Sequence, residues 1–141
     1  MSLARPSTVL AVAVVLALPF VARAQDKTDL QVLVAAVSTK GTEVAPELKG
    51  MAADFKRSGF SFTNYKLVSK TALKLKLNET GQVNLPNGVA RLTLMKLESA
   101  KATVKFDTPG MKSTQTMTQG GEAYIDAGKH GDGNVWLAVK R

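Results

Sequence analysis

His130 is the one histidine of a 141-residue chain, set in the run Gly128-Lys129-His130-Gly131-Asp132-Gly133-Asn134 with Asp126 just upstream. An imidazole near two carboxylates has the ingredients of a general base or a metal ligand. Zinc asks for three or four ligands, and the chain offers no cysteine and no second imidazole. Asp126, Asp132 and Asn134 supply oxygens suited to calcium, but their spacing lacks the D-x-[DN]-x-[DN]-G order and later glutamate of an EF-hand loop. Glycines at 128, 131 and 133 are the composition of an exposed hairpin turn, and a turn is what the segment is expected to be.

Nucleophilic chemistry has little more to work with. Serines at 38, 58, 61, 69, 99 and 113 lie in ordinary strand or loop contexts, with no G-x-S-x-G elbow. Ser69 and Lys70 are adjacent, so on a strand they point to opposite faces and make no dyad. A glycosidase needs two carboxylates across a cleft, and 11 scattered acids neither suggest nor exclude that. The expectation is a protein that is not an enzyme and takes no cofactor. A small hydrolase is the third-ranked reading, because it would need a pocket where such groups converge.

The cations are the better candidates. Leu73-Lys74-Leu75-Lys76-Leu77 alternates strictly, placing three leucines on one face and two lysines on the other. Lys66, Lys70, Lys96, Lys101, Lys105 and Lys112 follow nearby in sequence. Lys74, Lys76, Lys105, Lys112, Lys129 and His130 form the candidate binding surface, a field that attracts lipopolysaccharide phosphates or acidic glycans. Lysine on a sheet also keeps a face solvated and blunts edge pairing, and specific anion forks recruit arginine more often. No arginine cluster points to nucleic acid.

The first 24 residues bear on where such a surface would work. Arg5 is followed by an apolar run from Thr8 to Val21, and Ala22-Arg23-Ala24 closes it with small residues at −3 and −1. That layout predicts a secretory signal peptide over 1–24, cleaved before Gln25, and a single β-rich domain over 25–141. The mature chain would keep 17 basic and 11 acidic residues and no second apolar run long enough to span a membrane. Without cysteine it carries no lipid anchor and no disulfide, so a periplasmic or secreted location is expected.

The elements that must position these residues are mostly strands. Leu30 to Val37 reads as a buried strand. Pro46 suits a first helical turn, and Leu48, Met51, Ala52 and Phe55 make one apolar stripe. Lys56 and Arg57 favour the helix C-terminus, and Gly59 is a left-handed stop. From Phe60 the period becomes 2. Strands are expected at Phe62–Val68, Leu73–Leu77, Gln82–Leu85, Arg91–Leu97, Ala102–Phe106, Ala123–Ile125 and Val135–Val139. Turns are expected at Asn78–Gly81, at Pro86-Asn87-Gly88 and at Thr108-Pro109-Gly110. Thr-rich Lys112–Thr118 suits a sheet edge. Of Phe62 and Tyr65, at most one should point to the core, and Trp136 is expected in the core. The fold class is mainly β, α+β at the N-terminus: an antiparallel sandwich-like domain with one amphipathic helix packed on it, and leucines of 73–77 and 91–97 inside.

Phe60 to Leu67 (FSFTNYKL), Leu85-Pro86-Asn87-Gly88 and the closing Gly128 to Leu137 together resemble a group of small exported β-rich proteins of myxobacteria and related bacteria. Those carry an F-x-(S/N)-Y-x-L block, an LPNG turn before a long strand, and a glycine-rich hairpin into a final apolar strand. The resemblance covers about residues 29 to 140 and implies a fold, with no catalytic residues. Where that group has a proline-leucine-rich stretch, residues 113–118 here are Thr/Gln-rich. The expected function is a non-enzymatic binding or assembly module of the envelope, engaging an envelope protein through a sheet edge or the loop at 128–134. The alternative is electrostatic binding of anionic envelope polymers.

Overall fold

Alternation of apolar and polar residues over most of the chain yields eight antiparallel strands in two sheets, with one short helix, in a computed structural model that describes residues 27–141. The expected signal peptide lies outside the described residues. The strands are β1 (Lys27–Ser38), β2 (Asn64–Lys76), β3 (Thr80–Leu85), β4 (Gly88–Glu98), β5 (Lys101–Asp107), β6 (Lys112–Thr118), β7 (Glu122–His130) and β8 (Gly133–Lys140). Sheet 1 has the order β2-β1-β8-β7, and sheet 2 is the meander β3-β4-β5-β6. Every paired neighbour is also a sequence neighbour, except that β8 closes on β1. The chain therefore runs once around a two-layer sandwich.

Between the sheets lies the main core. Leu30, Val32 and Val34 of β1 and Val135, Leu137 and Val139 of β8 face Leu92 and Leu94 of β4 and Val104 and Phe106 of β5. A second cluster sits on the outer side of sheet 1. The helix α1 (Lys49–Arg57), entered through a 3₁₀ turn at Pro46–Leu48, lays Met51 and Phe55 on Leu33, Ala35, Val37 and Tyr65. Half of β1 is thus buried on both faces, which is why Leu30 to Val37 is almost continuously apolar.

Trp136, expected in the core, packs half-buried on this second cluster and not between the sheets. Its neighbours Val135 and Leu137 take the inner face, so strand alternation sends the indole outward under the helix. Phe55 is the hub there, with ring centroids 4.7 Å from Trp136, 5.4 Å from Tyr124 and 6.1 Å from Tyr65. Tyr65 is buried and Phe62 half-buried, while Phe60, stacked on Phe62, remains 42% exposed. The Tyr124 hydroxyl donates to Asp54 on the helix at 2.7 Å and lies against the Glu122 carboxylate, pinning α1 to β7. Burial first, and then the Glu122 hydrogen bond and charge, push the Tyr124 phenol well above its ordinary pKa, with Arg57 opposing.

Two other expectations change in the structure. The strands expected at Phe62–Val68 and Leu73–Leu77 are one strand, β2, with a bulge around Val68 that re-aims Tyr65 and Leu67 toward the helix. Leu75 is buried and Leu73 half-buried, but Leu77 is 48% exposed, because the strand ends at Lys76 and the chain turns there toward sheet 2. In β4 a register shift between Leu94 and Lys96 leaves Met95 exposed and returns Leu97 to the inner side.

The turns that carried the resemblance meet at one end of the sandwich. Asn87, in the turn between β3 and β4, donates to the carbonyls of Ala127 at 2.8 Å and Lys129 at 3.3 Å. Gly110, in the turn after β5, lies so close to Gly128 that a Cβ there would collide with the backbone of Gly128 and Ala127. Gly128 itself has φ of +101°, in a bulge of β7 between Asp126 and Lys129. At the other end, the Arg141 guanidinium donates to buried Thr28 of β1 at 2.9 Å and to the carbonyls of Ala100 and Met117, joining the two sheets.

Candidate functional surface

The six residues read from sequence as one surface fall in three places. Lys74 and Lys76 lie on the outer face of β2 in sheet 1, where Lys74 stands opposite Asp29 and Lys76 opposite Lys27. Lys105 and Lys112 lie on the outer face of sheet 2. Lys129 and His130 end β7 beside the turn into β8. The corner after Lys76 separates the first pair from the second. Sequence proximity placed Lys74 and Lys105 on one face, but that corner moves the chain to the other layer.

The glycine-rich segment is more strand than loop. β7 continues to His130 and β8 starts at Gly133, leaving Gly131-Asp132 as the turn. Its acids have local partners: Asp126 accepts the Gly128 N–H at 2.9 Å, and Asp132 pairs with Lys40 at 3.2 Å. His130 is exposed at the rim of a groove of about 310 Å³ that Lys66, Asn64 and Asn134 also line. Among the described residues, no three His, Cys, Asp or Glu side chains gather as metal ligands would.

Sheet 2 presents the broader surface. Among the described residues no helix covers it, and its outward positions alternate hydroxyls with cations. Lys105 is flanked by Thr93 on β4 and Thr114 on β6. Lys96 faces Thr103, which in turn faces Thr116. Thr80 and Thr93 share a hydrogen bond of 2.7 Å, and Thr103 and Thr116 one of 3.3 Å. Arg91 and Lys112 flank Asp107 in one row, and Lys96 pairs with Glu98 at 3.3 Å. Among the described residues Arg91, Lys101, Lys105 and Lys112 make no ion pair. Strand geometry spaces these groups by about 4.8 Å across the sheet and about 7 Å along it.

Lys112–Thr118 forms the edge of sheet 2, as its polar composition predicts. Its ladder with β5 is bracketed by Thr108 N–H to Met111 carbonyl at 3.0 Å and Gln119 N–H to Ala100 carbonyl at 3.2 Å. Antiparallel bonding alternates, so Ser113, Gln115 and Met117 direct their backbone groups to β5, and Thr114 and Thr116 direct theirs outward. Which backbone groups an edge leaves free depends on the ladder's phase, and side-chain pattern alone does not reveal that. No family model matches the chain, and neither does any curated protein or solved structure.

Proposed function

We propose that the chain is an exported, non-enzymatic binding module of the bacterial envelope, and that the outer face of sheet 2 is its binding surface. The ligand is an extended anionic polymer of the envelope, recognised by cations at fixed spacing with hydroxyls between them. The observation that carries the reading is the set of cations, Arg91, Lys101, Lys105 and Lys112, without an ion-pair partner among the described residues on an uncovered sheet. On sheet 1 the helix occupies much of the outer face. A rigid sheet removes the backbone's ordering cost at binding and leaves only that of the cationic side chains.

Surfaces coated with lipopolysaccharide and with a polyuronate test the reading and separate phosphate from carboxylate recognition. The protein is expected to be retained, with retention falling steeply as salt rises. Lys105→Glu with Lys112→Glu weakens it about tenfold or more, and Lys74→Glu with Lys76→Glu much less. Equal loss in the two double variants overturns the assignment to sheet 2.

The free backbone of β6 favours a second reading, in which an extended segment adds as a fifth strand of sheet 2. Proline at Thr116 removes an outward N–H and leaves the β5 ladder intact. Capture of an envelope protein by the native chain should therefore be lost in Thr116→Pro. Capture that survives this substitution counts against strand addition.

A further inference from the structure

We infer that the strand added at β6 is β6 of a second copy of this chain, paired antiparallel about a twofold axis at Gln115. The inference rests on strand addition at β6 and names its occupant.

Three of the four sheet edges carry devices that prevent pairing. β2 holds Lys66, Lys70, Lys74 and Lys76 and a bulge, and Glu43 to Ala45 already bond the backbone of Tyr65. β7 is broken by its bulge at Asp126 to Lys129. β3 contains Gly81, stops at donorless Pro86, and faces Val68, Ser69 and Thr71 of β2 across a groove of about 510 Å³. β6 has no bulge, proline or glycine, and its only charge is Lys112 at the first position. Natural sheets guard such edges unless the edge is used.

The sequence of β6 fits itself. About Gln115, Thr114 meets Thr116, Ser113 meets Met117, and Lys112 meets Thr118, so all seven residues pair and no like charges oppose. The outward-facing backbone groups of Thr114 and Thr116 fall opposite one another in this register, as a bonded pair requires. Gln115 is exposed and meets its own copy at a non-bonded position, where side chains approach closest and two amides can bond reciprocally. Cross-strand threonine pairs add to sheet stability. The product is one continuous eight-stranded sheet, which joins the two cationic faces. A single strand pair buries less than a standard interface, so the association is weak and concentration-dependent.

Sedimentation equilibrium of the purified protein over a wide concentration series reads the result directly. A reversible monomer–dimer equilibrium is expected, weakened about tenfold or more in Thr116→Pro. Gln115→Lys and Gln115→Glu should each dissociate the dimer, because like charges then meet at the axis, and mixing the two variants should restore it. Gln115 is exposed, so neither change disturbs the core. A monomer at every concentration overturns the inference, as does a dimer indifferent to all three variants. If the protein is monomeric and envelope capture is still lost in Thr116→Pro, strand addition stands and the second copy does not. If capture also survives, both fall.

Discussion

Phe106→Ala is expected to lower the unfolding free energy by about 3–5 kcal/mol, a large part of the roughly 5–15 kcal/mol typical of a domain. Phe106 is fully buried, the largest such side chain among the described residues, and sits in the layer between the two sheets. Its ring is held on β5, with Leu92 opposite on β4 and Ser113 on β6. The neighbours are strands fixed in register on both sides, so the site has little room to collapse and the cavity remains. Denaturant titration followed by β-sheet dichroism should show the midpoint falling with an unchanged slope, as when stability alone has changed. A loss under 1 kcal/mol would mean that the layer can repack around the missing ring.

Phe55→Ala should produce a loss of similar size, about 3–5 kcal/mol, but confined to the helix. Phe55 is the residue that α1 drives into Tyr65, Tyr124 and Trp136, and it carries most of the aromatic packing that holds the helix, beside Met51 and the Asp54–Tyr124 hydrogen bond. A nine-residue helix is not stable alone in water, so it persists only while docked. The outer cluster is separated from the main core by sheet 1 itself. The expected outcome is rapid proteolysis between residues 39 and 63 with the β-sheet circular dichroism retained. Simultaneous loss of both would show that the two clusters unfold as one unit.

Much of the fold was legible because the local signals are simple. The stripe Leu48, Met51, Ala52 and Phe55 gives α1, and Gly59 after it has φ of +91° as a left-handed stop requires. The LPNG turn sits between β3 and β4 with Leu85 paired to Gly88. What escaped the sequence reading involves the second layer. VWLAV looks like one buried run, but its two faces enter different clusters, a division that the run of apolar residues does not show. The bulges at Val68 and Met95 change which face a residue takes without any glycine or proline to mark them. Arg141 looks like an ordinary terminal cation, yet its guanidinium links Thr28 to two carbonyls of sheet 2. The cationic surface failed to assemble as expected for a related reason. Sequence fixes which lysines share a strand face, and the corner at Asn78, with φ of +66°, decides which sheet carries the next one.

The indole packed beneath α1 makes the chain its own optical gauge. Trp136 is the only tryptophan; its ring meets the Phe55 ring edge-on, and its Nε1 is buried with no hydrogen-bond partner among the described residues. Its emission therefore reports whether the helix is seated and is blind to the layer between the sheets, which far-ultraviolet dichroism follows. A red shift that precedes the loss of β-sheet signal on heating marks undocking as a separate event, and coincident curves mark a single one.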